Sequence, residues 1–154
     1  MHESFMLRAI DLSIENVTNG GGPFAALVVR GDEIIASGVN RVTATNDPTA
    51  HAEIVAIREA CAKLQTFQLE GCHIYTTCEP CPMCLGAIYW SRAARVFYAN
   101  TREDAREIGF DDDFIYREIA TPLNLRAIPM IPLLRDHALR AFRLWRTKPD
   151  KQPY

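Results

Sequence analysis

Residues 77–84 read TCEPCPMC and set Cys78, Cys81 and Cys84 at a spacing of three. Such a run fits an iron–sulfur cluster, a disulfide framework, or two metal ligands beside a bystander, and each implies a different fold. Pro82 suits the first turn of a helix. Cys81 and Cys84, at i and i+3 on that helix start, can share one face. The positive end of the helix dipole favours thiolates there. Cys78 directly follows the β-rich run CHIYTT (72–77), with Pro80 breaking continuity, and reads as a buried small hydrophobe. An iron–sulfur cluster would need Cys61 or Cys72 as a fourth ligand.

Two thiolates need a third partner. The chain has four histidines, His2, His51, His73 and His137, and His51 lies two residues before Glu53 in TAHAE (49–53). A helix is expected to start here with Thr49 as its N-cap. Positions i and i+2 lie about 200° apart on an ideal helix, but side chains of the opening turn can reach around its end. His51, Cys81 and Cys84 would form a His-Cys-Cys zinc site with the fourth position open to water, as in catalytic zinc centres. Glu53 would be an uncoordinated carboxylate able to carry a proton. His2, His73 and His137 read as surface or packing residues.

The remaining sequence supplies the scaffold. At 154 residues and 48% hydrophobic, the chain is long enough for one core, and 1–154 is expected to be a single domain. The opening MHESFMLRAIDLSIE carries charges throughout and lacks the apolar run of a signal peptide. No stretch reaches the roughly 18 apolar residues of a membrane span. A soluble, cytoplasmic protein is expected, and five cysteines, an odd number with three close together, favour metal binding over a disulfide framework. With a net charge of −2, nucleic acid is not expected as a partner, although six basic residues lie between Arg135 and Lys151. Helical patterns are expected at 4–19, from about 49, from 81, in 101–109 and 112–120, and at 135–147. Strands are expected at 24–30, 33–40, 72–77 and 95–100, with an edge strand at 127–133. A hairpin followed by alternating strands and helices implies a three-layer α/β/α sandwich with a central mixed five-stranded sheet.

HAE followed about 30 residues later by PCPMC matches the H-x-E…P-C-x-x-C pattern of zinc nucleobase deaminases. The element order resembles the cytidine deaminase-like fold of that superfamily. Over essentially the whole chain the sequence is similar to the bacterial guanine deaminases of this fold. The resemblance runs through GGPF (21–24), NDPTAHAE (46–53), CEPCPMCLGAIYW (78–90), GFDDDFIY (109–116) and Tyr154. It implies a zinc-dependent hydrolase converting guanine to xanthine and ammonia, with Glu53 as proton carrier and His51, Cys81 and Cys84 on zinc. Asn40 would then bind the acceptor edge of the purine and Asp112 its N–H donors, while Asp111 and Asp113 leave the register of the triplet open. Phe24 would cover the ring, and Trp90 would line the purine pocket of a neighbouring subunit. The resemblance further implies a homodimer in which a segment of about 120–154 is domain-swapped and Tyr154 closes the other subunit's site.

Three alternatives carry other expectations. Guanosine or ammeline deamination shares the elements above. A tRNA adenosine deaminase would use the basic C-terminal run on phosphates. A structural zinc protein would recruit Cys78 as a fourth ligand.

Overall fold

Strand β1 (Ala25–Arg30) sorts its side chains by parity. Ala26 and Val28 face one side of the sheet, and Leu27 and Val29 face the other. The computed structural model describes residues 1–154 and divides them into two compact units, Met1–Asp113 and Phe114–Tyr154.

In the first unit a hairpin turning at Gly31, with φ +60°, pairs β1 antiparallel to β2 (Glu33–Val39). On its other edge β1 pairs antiparallel with β3 (Cys72–Cys78), which pairs in parallel with β4 (Arg95–Asn100). The strand order is β2-β1-β3-β4. Helix α1 (His2–Thr18) covers the Leu27/Val29 face, where Ala9 and Tyr75 join the core. Helix α3 (Ala52–Leu64), preceded by the short α2 (Val42–Thr45), covers the Ala26/Val28 face, and Ile88 of α4 (Pro82–Trp90) packs into the same cluster. Helix, sheet and helix make the three expected layers. Each fully buried aliphatic side chain contributes about 1.5–3 kcal/mol to holding them together.

One close approach fixes how deeply α3 sits on the sheet. A Cβ at Gly38 of β2 would stand 3.1 Å from Ala56 Cα and closer still to the Ala52 carbonyl. Only glycine lets the backbones meet so closely, and this contact sets the height of the helix end that bears His51 and Glu53.

The sheet has four strands, not the expected five. Residues 127–133 form no strand. Pro129 and Pro132 lack the N–H a ladder requires. The neighbouring polar groups are met by side chains instead. Ala127 N–H donates to Glu118 Oε2 at 2.7 Å, and the Arg126 guanidinium donates to the Thr121 and Ile119 carbonyls at 3.0 Å each.

Helix α5 (Arg102–Glu107) is closed by a capping box between Thr101 and Asp104, and α6 (Asp112–Ala120) runs across the division between the units. The second unit then holds a 3₁₀ turn (Leu123–Leu125) and α7 (Arg135–Thr147), which matches its expected limits. No residue from Phe114 to Tyr154 is buried. No helix of the chain is long and apolar enough to cross a membrane.

Candidate zinc centre and cavity

Two helix N-termini converge on one point. His51 is the N-cap of α3, in extended conformation at φ −69°, ψ 157°, and Cys81 is the N-cap of α4, at φ −65°, ψ 166°. Because His51 precedes the helix, the 200° separation from Glu53 does not apply, and both side chains reach the same side. Thr49 is therefore not the N-cap. Its N–H and hydroxyl both donate to Asp47 Oδ1, at 2.8 and 2.7 Å, in the turn before the helix.

His51 Nδ1 lies 3.5 Å from Cys81 Sγ and 3.5 Å from Cys84 Sγ. These three donor atoms all fall within 4.8 Å of one another. A tetrahedral zinc ion with ordinary Zn–N and Zn–S bonds sets nitrogen and sulfur about 3.6 Å apart, so the donor set fits zinc in both spacing and chemistry. The Cys84 N–H donates to Cys81 Sγ at 3.4 Å. The Cys84 thiol donating to Cys81, helped by His51, pulls Cys81 down to about 4, while that same pairing and burial push Cys84 up. The Cys81 thiolate in turn raises the His51 imidazole. Holding a dication requires both sulfurs as thiolates and the imidazole neutral, so loading releases protons.

Cys78 stands apart from this group. Its thiol donates to the Thr101 carbonyl at 3.6 Å, and burial, followed by the negative charge of Asp112, pushes it up to about 12. Its place outside the donor group, bonded to a main-chain carbonyl, is what separates Cys78 from the ligands.

Glu53 is buried in the first turn of α3. Thr76, which shares a sheet face with Ile74, donates from Oγ1 to Glu53 Oε1 at 2.8 Å. Burial raises the Glu53 carboxyl well above the usual range, opposed by its own backbone N–H and by Thr76. A buried carboxyl beside the donor set is placed to carry a proton.

A cavity of about 260 Å³ opens onto these groups. Phe24, Asn40, His51, Glu53, Phe110 and Asp112 line it. Phe24 meets Phe110 edge-on, with ring centroids 4.9 Å apart. Asn40 Oδ1 accepts the Val42 N–H at 3.2 Å, which leaves the Asn40 amide nitrogen as its free donor. The structure separates the members of the Asp triplet. Asp113 is paired with Arg106 at 2.8 Å and Arg102 at 3.7 Å, whereas Asp112 lines the cavity. Arg102 also pairs with Glu79, itself on the cavity wall, at 3.5 Å. Burial, and after it the Cys81 charge, raises Asp112 to about 6.

Two expected site residues lie elsewhere. Trp90 ends α4, is 63% exposed and does not line this cavity. Tyr154 is 70% exposed at the end of the second unit. Sequence reasoning missed Thr76 and Phe110. Strand parity places Thr76 on the same face as Ile74 but does not reveal its pairing with Glu53, and the GFDD element contains Phe110.

Residues 1–100 match the cytidine and deoxycytidylate deaminase zinc-binding region. The chain belongs to that family of zinc-dependent deaminases. It is 53% identical to the guanine deaminase of Bacillus subtilis over 154 residues, 99% of each chain. The X-ray structure of guanine deaminase from Bacillus subtilis superposes with a TM-score of 0.97 at 52% identity, covering 100% of this chain and 99% of the other. Likeness to the tRNA-specific adenosine deaminase of Aquifex aeolicus is 42% over 97 residues, 63% of this chain and 64% of that protein.

Proposed function

We propose that the protein is a guanine deaminase, a hydrolase that converts guanine to xanthine and ammonia in the cytoplasm. The observation that carries this reading is the cavity. A donor from Asn40 and an acceptor from Asp112 share a wall with buried Glu53 beside the metal-ligating group. At about 260 Å³ it falls just under the usual small-molecule range of about 300–1,000 Å³, as suits a free base rather than a polynucleotide. The likeness to the Bacillus subtilis enzyme over 99% of both chains supports the same substrate.

Zinc held by His51, Cys81 and Cys84 supplies Lewis-acid activation of water. The remaining roles fall to the chain itself. Asn40 donates to the acceptor edge of the purine, Asp112 accepts its N–H groups, and Phe24 covers a ring face. Glu53, fixed through Oε1 by Thr76, takes the proton of the attacking water at its other oxygen. It passes that proton to the ring nitrogen beside C2 and then assists the departing ammonia. The first turn of α4 presents backbone N–H groups near Cys81 where negative charge develops.

The protein acts as a homodimer whose segment of about 120–154 crosses to the partner, with Tyr154 and Trp90 serving the partner's pocket. Support comes from the second unit, in which Phe142 is 71% exposed and no residue is buried. An ordered segment of this length without a core of its own needs a covering surface. Removing the last few residues should then impair catalysis while zinc stays bound, and unchanged kinetics would make Tyr154 a frayed end.

The substrate is tested by incubating the zinc-loaded protein separately with guanine, guanosine, ammeline, cytosine and adenine and measuring ammonia. Guanine should react fastest, with xanthine as product. Preferred release from any other of these compounds overturns the assignment.

A further inference from the structure

We propose that Asn16 of α1, outside the cavity wall, is a positioning residue that aims Asn40 at the purine, an inference that rests on the guanine reading. Asn16 Nδ2 carries two hydrogens and faces two carbonyls. It donates to Gly22 O at 2.7 Å and to Asn40 O at 3.0 Å. Gly22 and Asn40 both line the cavity, one just before β1 and the other just after β2. One side chain thus ties together the two chain segments that carry Phe24 and Asn40.

The tie completes the fixation of Asn40. Its N–H donates to the Phe24 carbonyl at 3.1 Å, its carbonyl accepts from Asn16, and its Oδ1 accepts the Val42 N–H. With three groups committed, only the amide nitrogen remains for a ligand, and its direction is set before binding.

Helix capping does not account for Asn16. The end of α1 is already closed by main-chain bonds from Asn19 N to Glu15 O, Gly20 N to Val17 O and Gly21 N to Asn16 O. The Asn16 side chain is turned instead toward the cavity segments. Gly21 accommodates it there, since a Cβ at Gly21 would stand 2.8 Å from Asn16 Cγ and Oδ1 and nearer still to Nδ2. Gly21 does not have a positive φ, so an alanine there acts through this contact and not through backbone strain.

The test compares N16A and G21A with the parent enzyme, all zinc-loaded. Each variant should raise KM for guanine about tenfold, keep kcat within about threefold and retain its zinc. In an N40A background, N16A should lower kcat/KM no further, and G21A should add nothing to N16A. Amide exchange gives a second reading without turnover: the Asn40 and Val42 amides should exchange faster in N16A, with β3 unchanged. Unchanged KM in both variants, an N16A loss that persists undiminished beside N40A, or unaltered exchange at Asn40 and Val42 overturns the proposal. Should N16A fail to fold, G21A carries the test with the same expected result. If the parent enzyme ignores guanine, the substrate assignment fails, while the exchange measurement still decides whether Asn16 orders Asn40.

Discussion

The two faces of the sheet each hold a histidine against polar or soft neighbours, yet only one makes a metal site. On the α3 face, His51 Nδ1 is 3.5 Å from both Cys81 Sγ and Cys84 Sγ, at the meeting of two helix N-termini. On the α1 face, His2 Nδ1 is bonded to the Tyr75 hydroxyl at 2.5 Å, and its ring stacks on Phe97 at 4.6 Å. His73 lies nearby, with its ring centre 6.3 Å from that of His2. Histidine by itself therefore says little. On the first face, positive helix ends favour thiolates, and the thiolates with the imidazole can hold a dication. On the second, the exposed imidazole meets one hydroxyl and stacks on an aromatic ring, with no thiol beside it, and it belongs to the packing at the edge of that face.

The sharpest way to break this contrast is to remove one member of the converging group. His51→Ala should abolish zinc retention and with it all measurable turnover, as read by metal analysis and ammonia release. Cys78→Ser should leave zinc in place, because the Cys78 thiol is bonded to the Thr101 carbonyl and stands outside the donor set. Loss of zinc from Cys78→Ser would mean a closed four-ligand site and a structural metal.

Glu53→Gln separates metal binding from proton transfer within the same face. Zinc content should match the parent, and kcat should fall by about 10²–10⁴. The amide keeps the shape and can still accept from Thr76 Oγ1, so a large loss of structure is not expected. Near-normal turnover with full zinc would remove Glu53 from the chemistry.

The parts of this face that were legible in the sequence are those whose geometry is local. Cys81 and Cys84 share a helix start, and Pro82 marks it. His51 and Glu53 stand on another such start, although the wrong residue was expected to cap it, because Thr49 is engaged with Asp47 in a turn that propensity alone does not distinguish from a cap. Thr76 and Asn16 were not legible. Their partners Glu53 and Asn40 lie 23 and 24 residues away, and the pairing depends on how the strands and helices stack. Asp112 and Asp113 differ only in direction, which the start of α6 and the arginines on α5 decide. The edge strand expected at 127–133 does not form for a local reason: Pro129 and Pro132 lack ladder donors, and the Ala127 N–H is taken by Glu118.

Asp112 gives a smaller and pH-dependent effect. Its carboxyl, raised to about 6 chiefly by burial, must be ionised to accept purine N–H groups. Guanine kcat/KM should therefore fall as pH drops through about 6 and recover above it. Stability should respond in the opposite sense: a raised acid contributes stability that is present below its ordinary value of 3.8 and is lost as pH rises through about 6. Asp112→Asn should lower kcat/KM about 10- to 100-fold at neutral pH and shift the acid limb. An unmoved limb would assign it to Glu53 alone.

The smallest effect belongs to the α1 face, and it tests whether that face is only packing. Tyr75→Phe removes the hydroxyl that meets His2 Nδ1 but keeps the ring, which lies 4.8 Å from Phe97 and 5.3 Å from Phe5. His2 is exposed, so its nitrogen can turn to water when the hydroxyl is gone. The loss should be about 1 kcal/mol, a fall of roughly 2–4 °C in Tm. Zinc content and turnover should not change, although Tyr75 is next in β3 to Thr76, whose hydroxyl fixes Glu53. Successive strand residues point to opposite faces, so a change confined to the Tyr75 ring edge leaves the Thr76 side undisturbed. A drop in kcat with Tyr75→Phe would mean that the two faces communicate through β3, and the division between a reacting face and a packing face would no longer hold.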